Sequence, residues 1–93
     1  MTLKTNRFDA AEYLDSPQAI QAFLTDAYES GDHQEFLDAI GIAARAKGMT
    51  EVARSAGLGR DSLYKGLRSD GNPSFITIDK VCRALGVKLA IAA

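Results

Sequence analysis

The chain has 93 residues, a formal net charge of −1 and one cysteine, and 46% of its residues are hydrophobic. This length suits one compact domain with a single core, and it contains no apolar run of about 18 residues that could span a membrane. A single cysteine excludes an intrachain disulfide and fits a reducing compartment. We therefore expect a cytoplasmic protein whose N-terminus is not a secretory signal.

The N-terminal part of the chain predicts two helices. Asp9 suits the N-cap of a short helix over residues 10–14, and Ser16 followed by Pro17 is a stronger start for the second helix. Apolar residues at steps of three and four give this second helix one buried face. We expect it to end with Gly31 at its C-cap.

A third helix follows directly. Asp32 and Glu35 have the spacing of a capping box, in which Asp32 accepts from the backbone and Glu35 reaches back to it. The buried face consists of five apolar residues at helical spacing: Phe36, Leu37, Ile40, Ala43 and Ala44. Gly41 costs about 1 kcal/mol of helix propensity relative to alanine, so we expect a close helix crossing there. Gly48 suits the C-cap.

Residues 50–67 predict two short helices joined by a tight turn, which is the pattern of a helix-turn-helix. Ala53 is small enough for close helix packing, and Gly57 can adopt the positive φ that the turn needs. Leu63 and Leu67 would anchor the second helix to the core.

Different residues are expected to cap these two helices. Thr50 is the expected N-cap of the first helix, which ends at residue 56. Gly59 precedes the second helix, over residues 60–68, where glycine is only a few tenths of a kcal/mol worse than serine.

The C-terminal part predicts one more helix and then a short strand. Ser74 suits the N-cap of a helix over residues 75–85, which Gly86 would end. Alternating apolar residues over 87–91 favour a strand. A lone strand needs a partner, and the same strand of a second copy is the simplest one. We therefore expect residues 87–93 to contribute to a homodimer.

Charge is distributed unevenly along the chain. Residues 1–41 contain two basic and eight acidic side chains, a net charge of −6, whereas residues 42–68 contain six basic and two acidic ones, a net charge of +4. The positive charge coincides with the predicted helix-turn-helix, as phosphate contacts require. We expect the acidic part to face away from DNA, where it could meet a basic partner.

The second helix of this motif would present its polar face to the major groove of DNA. We expect Arg60, Asp61 and Lys65 to contact base edges, because Arg and Lys donate to guanine and Asp accepts from cytosine. Asp61 could instead compensate the helix dipole, and Arg60 and Lys65 could form a solvated face. Ser62 and Tyr64 could bond phosphates or bases. The alternative for Tyr64 is a half-buried ring with an exposed hydroxyl.

Four further residues are candidates for phosphate contacts. Thr50 lies at a helix N-terminus, whose backbone amides can hold a phosphate. Arg54, Arg68 and Asn72 are near the same motif, and simple solvent exposure is the alternative for each.

Several spaced motifs together resemble a known family. Residues 53–67 and 72–89 look like an Xre-type, lambda-repressor-like helix-turn-helix domain. FDAAEYL at residues 8–14, GD at 31–32 and RAKGM at 45–49 are similar to the short HigA-like antitoxins known as addiction-module antidote proteins. The resemblance covers nearly the whole chain.

The resemblance implies a lambda-repressor-like helical bundle over residues 32–86, with a helical extension over 9–30, in a single domain of residues 1–93. It also implies a homodimer that binds its own double-stranded operator DNA and silences a HigB-like, RelE-fold toxin that cleaves messenger RNA. The extension could dock the toxin, lengthen the dimer contact or only cover the core. One departure is Gly59, where many Xre domains have serine or threonine, but glycine is an adequate cap.

No residue pattern points to catalysis, a cofactor or a bound metal. His33 has no Cys or His at ligand spacing, and Cys82 lies on an apolar helix face, as a core residue would. The leading interpretation is a non-enzymatic antitoxin and autorepressor of a type II toxin–antitoxin module. The alternatives are a stand-alone, phage-like transcriptional regulator without a toxin and an interaction module that no longer binds DNA.

Overall fold

The computed structural model describes residues 14–68 and 71–91 of the chain. The described part contains five helices: α1 Pro17–Glu29, α2 His33–Lys47, α3 Met49–Ala56, α4 Arg60–Leu67 and α5 Phe75–Ala84. These residues are therefore all-helical, in agreement with the predicted class. The predicted helix over residues 10–14 lies outside the described part except for Leu14, which is buried but not helical.

Serine side chains cap α1 and α5, as the sequence predicts. The Ser16 hydroxyl oxygen accepts a hydrogen bond from the backbone N–H of Ala19 at an N–O distance of 3.1 Å. The Ser74 hydroxyl oxygen accepts from the backbone N–H of Thr77 at 3.2 Å. The C-terminal end of α1 differs slightly from the prediction, because the residue before Gly31 occupies the C-cap and Gly31 follows with a φ of 82°.

The capping box at the start of α2 is half formed. The Asp32 carboxylate accepts from the backbone N–H groups of Gln34 and Glu35 at 2.9 and 3.4 Å. The backbone N–H of Asp32 donates to the Ser30 hydroxyl at 3.2 Å rather than to the Glu35 side chain. Because Ser30 lies only two residues away, it satisfies this donor without ordering a long side chain.

The helices pack around one core. α2 contacts each of the other four helices, and α3 also packs against α4 and α5. The largest fully buried side chains come from α2 to α5 and the residue after α5: Ile40, Val52, Leu63, Val81, Cys82 and Leu85. The helical spacing of apolar residues identified most of this core, but in α2 the predicted Phe36 and Leu37 are only half-buried, whereas Ala39 and Ile42, which were not predicted, are buried.

Gly41 marks the predicted close helix crossing. A Cβ atom at this position would lie 3.1 Å from the backbone carbonyl oxygen of Leu67 and 3.5 Å from the Arg45 side chain. The end of α4 therefore approaches α2 at the one helical position where α2 has no side chain, which offsets the poor helix propensity of glycine.

The segment after α5 is not a strand over the described residues 87–91. The backbone N–H of Val87 donates to the Cys82 carbonyl oxygen at 3.1 Å, so this residue completes the end of α5. A strand requires a neighbouring strand for its backbone hydrogen bonds, and the rest of the described chain is helical. The predicted pairing with a second copy stays a prediction. Leu89 and Ile91 are exposed.

Candidate nucleic-acid interface

The start of α3 differs from the prediction. Gly48, with φ and ψ both 114°, occupies the N-cap and offers no side-chain hydrogen bond. Thr50 is the second helical residue, so the prediction that Thr50 caps this helix is wrong. The reason is packing: a helix that begins at Met49 buries Met49 on the same face as Val52 and Ala53, at positions one turn apart.

A Schellman motif ends α3. The backbone N–H of Gly57 donates to the Arg54 carbonyl oxygen at 3.2 Å, and the N–H of Leu58 donates to the Ala53 carbonyl oxygen at 2.9 Å. Gly57 has a φ of 72°, in the left-handed region that glycine adopts at least cost. Leu58 packs against the core, so an apolar contact fixes the turn between α3 and α4.

α4 is anchored along one side and open along the other. Gly59 is its N-cap, with φ −67° and ψ 145°, as predicted. Leu63 and Leu67 are 0% and 3% exposed. The other side chains of its first two turns are exposed: Arg60, Asp61, Ser62, Tyr64 and Lys65. Because Leu63 and Leu67 pack in the core, the polar side chains of α4 can face solvent while the helix stays anchored.

The loop after α4 folds back onto the end of this helix. The backbone N–H of Gly71 donates to the Arg68 carbonyl oxygen at 2.8 Å. Arg68 has extended backbone angles and lies at the C-cap, so α4 ends one residue before the predicted position. A Cβ atom at Gly66 would lie 3.4 Å from the Cβ of Pro73. The sequence analysis did not predict this contact of the loop with α4.

The predicted DNA-binding residues all have exposed side chains. Thr50 and Arg54 lie on α3, Arg68 lies at the end of α4, and Asn72 lies in the following loop. The other five belong to the open side of α4. Two consecutive helices thus carry most of the residues that the sequence singled out, whose contacts with DNA stay predictions.

Arg60 and Tyr64 form a pair that the sequence analysis missed. The guanidinium carbon of Arg60 lies 5.5 Å from the centroid of the Tyr64 ring, within the range of a cation–π interaction. Tyr64 is 42% exposed, so its ring is neither buried nor freely solvated. The signal was present in the sequence, because residues four apart on a helix are neighbours.

The separation of charge seen in the sequence also exists on the surface. The described residues 14–41 contain six acidic side chains and no lysine or arginine, and all of the acidic ones except Asp38 are exposed. Every basic side chain of residues 42–68 is exposed: Arg45, Lys47, Arg54, Arg60, Lys65 and Arg68. Exposed basic side chains therefore lie on α3, α4 and the end of α2, and three more lie on α5 and after it: Lys80, Arg83 and Lys88.

Cys82 is a core residue rather than a reactive thiol. Burial in the core, and secondarily the negative charge of Asp79, raise the pKa of Cys82 from 9.0 to about 11. A thiol that stays protonated at neutral pH is a poor nucleophile and a poor metal ligand. Among residues 14–68 and 71–91, no group of three or more His, Cys, Asp or Glu side chains is arranged to hold a metal ion. No helix in the same ranges is long and apolar enough to cross a membrane.

Comparison with known proteins identifies relatives along nearly the whole chain. A family model described as "probable addiction module antidote protein" matches residues 4–93. An uncharacterized protein of Haemophilus influenzae is 40% identical over 91 residues, which cover 98% of this chain and 94% of the relative. No solved structure matches the chain. The family match spans the acidic helices as well as the α3–α4 unit, and we conclude that this chain belongs to the family of probable addiction module antidote proteins.

Proposed function

We propose that this chain is the antitoxin of a type II toxin–antitoxin module and that it represses its own operon by binding operator DNA. Its membership in the antidote family supports the antitoxin role. The observation that carries DNA binding is the open, polar side of α4, opposite the buried Leu63 and Leu67. The Xre-like motifs of residues 53–67 and 72–89 support a lambda-repressor-like helix-turn-helix.

In this proposal α4 enters the major groove with its N-terminal end. Arg60 and Lys65 donate to guanine O6 and N7, and Asp61 accepts from cytosine N4. Arg54 and Arg68 contact phosphates on either side and set the position of α4 without reading sequence. The exposed basic side chains of residues 42–68 supply the salt-dependent part of the affinity.

The toxin partner in this proposal is a HigB-like, RelE-fold enzyme, as the HigA-like motifs imply. A protein that cleaves RNA needs basic surface to hold its substrate. The exposed acidic residues of α1 and α2 have the complementary sign, which supports toxin docking on this part of the chain. The antitoxin acts by binding in the cytoplasm and has no enzymatic activity of its own.

The functional unit in this proposal is a homodimer. Two copies related by a twofold axis would read a palindromic operator whose half-sites lie about 34–36 Å apart. Leu89 and Ile91 are 37% and 103% exposed, which supports association of this segment with a second copy. Static light scattering on the isolated chain tests this part of the proposal directly.

Co-expression with the neighbouring open reading frame is the decisive experiment. We expect a stable complex in size-exclusion chromatography, rescue of growth from the toxicity of the neighbour, and a gel shift with DNA from upstream of the operon. Two variants separate the activities. Asp26→Lys combined with Glu29→Lys should weaken the toxin complex and spare DNA binding, whereas Lys65→Ala should do the reverse.

The alternative functions give different results in the same experiment. DNA binding without toxicity or a complex would reject the toxin partner and leave a stand-alone, phage-like regulator. A complex without DNA binding would reject autorepression and leave an interaction module.

A further inference from the structure

We propose that Tyr64 is a positioning residue for operator specificity: its ring holds the Arg60 guanidinium in the orientation that reads a guanine. Arg60 is the residue that contacts the base, and Tyr64 acts through it. The inference rests on the proposed DNA binding by α4, and it assigns to Tyr64 a function other than its own contact with DNA.

The geometry of α4 carries the argument. Arg60 is the first residue of the helix and Tyr64 lies one turn later. Helical side chains lean toward the N-terminus, so the Tyr64 ring extends toward the turn that carries Arg60, and the guanidinium carbon lies 5.5 Å from the ring centroid. Tyr64 is 42% exposed, whereas its neighbour Leu63 is fully buried. The pair therefore stands on the open side of α4, at its N-terminal end.

The chemistry of the two groups makes this contact compatible with base recognition. A guanidinium stacks through its flat face, whereas its five N–H donors lie in the plane and point outward. A ring in contact with that flat face would leave the edge free for the O6 and N7 acceptors of guanine. The cation–π contact also restricts a long side chain before DNA arrives, which reduces the ordering cost of binding.

This arrangement affects specificity more than overall affinity. Tyr64 has no charge at neutral pH and therefore adds nothing to the salt-dependent attraction for phosphates. Its loss should release Arg60 into many rotamers, most of which cannot form the two parallel bonds to guanine. Discrimination should then fall at the base pair that Arg60 reads, and binding to unrelated DNA should stay unchanged.

The test compares wild type, three variants and one control variant on two DNA probes: duplex from the promoter upstream of the chain's own gene, and a scrambled duplex of equal length. The proteins are wild type, Tyr64→Leu, Tyr64→Phe and Arg60→Ala. Tyr64→Leu should weaken promoter binding about two- to fivefold, the size of an exposed cation–π interaction, and leave scrambled binding unchanged. Tyr64→Phe keeps the ring face and should bind like wild type. Tyr28→Leu, at an exposed tyrosine on α1, is the matched control.

A double-mutant cycle and a base-pair scan complete the test. Arg60→Ala combined with Tyr64→Leu should bind no more weakly than Arg60→Ala alone, because the ring acts only through the guanidinium. Both single variants should lose discrimination at the same base pair. Additive losses, equal losses on both probes, or a Tyr64→Phe variant as weak as Tyr64→Leu would each overturn the inference. If wild type does not distinguish the probes, the proposed operator recognition fails first, and this inference fails with it.

Discussion

Gly71 lies directly against the carbonyl oxygen of Gly66: a Cβ atom at Gly71 would stand 2.5 Å from that oxygen. The same atom would lie 2.6 Å from the Lys65 carbonyl oxygen. Because these are backbone atoms at the end of α4, no change of side-chain rotamer could relieve the overlap. Only glycine at position 71 permits the loop to close over the end of the proposed recognition helix.

Substitution of Gly71 and of Gly66 by alanine should therefore change the free energy of unfolding in opposite directions. Gly71→Ala should lower the free energy of unfolding by about 1–3 kcal/mol, as overpacking does. Gly66→Ala should raise it by up to about 1 kcal/mol, because it improves helix propensity and its Cβ would only touch Pro73 at 3.4 Å. Urea unfolding followed by circular dichroism measures both. Equal stabilities of the two variants would contradict the observed loop contact.

The features that the sequence predicted well are governed by local chemistry. The Ser16 and Ser74 caps depend on side chains that bond amides three residues away, and the turn at Gly57 depends on the φ of one residue. Local rules gave the wrong N-cap for α3, because the burial of Met49 outweighed the capping preference of Thr50. Core packing is a property of the whole chain, and residue preferences describe it only in part.

The candidate site was predicted as a set of exposed residues but not as a geometry. The spacing of Leu63 and Leu67 fixes which side of α4 is buried, so exposure of its polar residues follows from the sequence. The close approach of Gly71 to the end of α4 could not be predicted from the sequence, because it depends on the three-dimensional path of the loop. The cation–π contact between Arg60 and Tyr64 could have been predicted from their helical spacing, but the sequence was interpreted one residue at a time.

The turn between α3 and α4 gives a second matched pair of substitutions. Gly57→Ala should lower the free energy of unfolding by about 1–2 kcal/mol, because its φ of 72° is unfavourable for residues with a Cβ. Gly59→Ser should raise it by a few tenths of a kcal/mol, since Gly59 has φ −67° and lacks only a capping side chain. Thermal unfolding of both variants and of wild type measures these changes in stability. A Gly59→Ser variant less stable than wild type would show that a hydroxyl does not fit at this cap.

Cys82 should react only when the domain opens or the pH is high. Its pKa of about 11 predicts slow alkylation by iodoacetamide at pH 8 in the folded chain and fast alkylation in urea. Because folding raises this pKa from 9.0 to about 11, the protonated thiol stabilises the fold below pH 9, and this contribution is lost as the pH rises toward 11. Wild type should therefore lose stability relative to Cys82→Ala over that interval. If the difference in stability between wild type and Cys82→Ala stays constant over this pH interval, the raised pKa of Cys82 is refuted.

Substitution of Lys65 tests whether this side chain, in the second turn of α4, contacts a base edge or a phosphate. If Lys65 contacts a base edge, Lys65→Ala should weaken operator binding by about 1–3 kcal/mol and relax specificity at one base pair. If it contacts a phosphate, binding to operator and to random DNA should fall equally, and the slope of log affinity against log salt should decrease by about 1. Fluorescence anisotropy titrations at several salt concentrations distinguish these outcomes. Lys80→Ala, at an exposed lysine on α5, is the control, and an equal effect of both variants would assign Lys65 to the general electrostatic field.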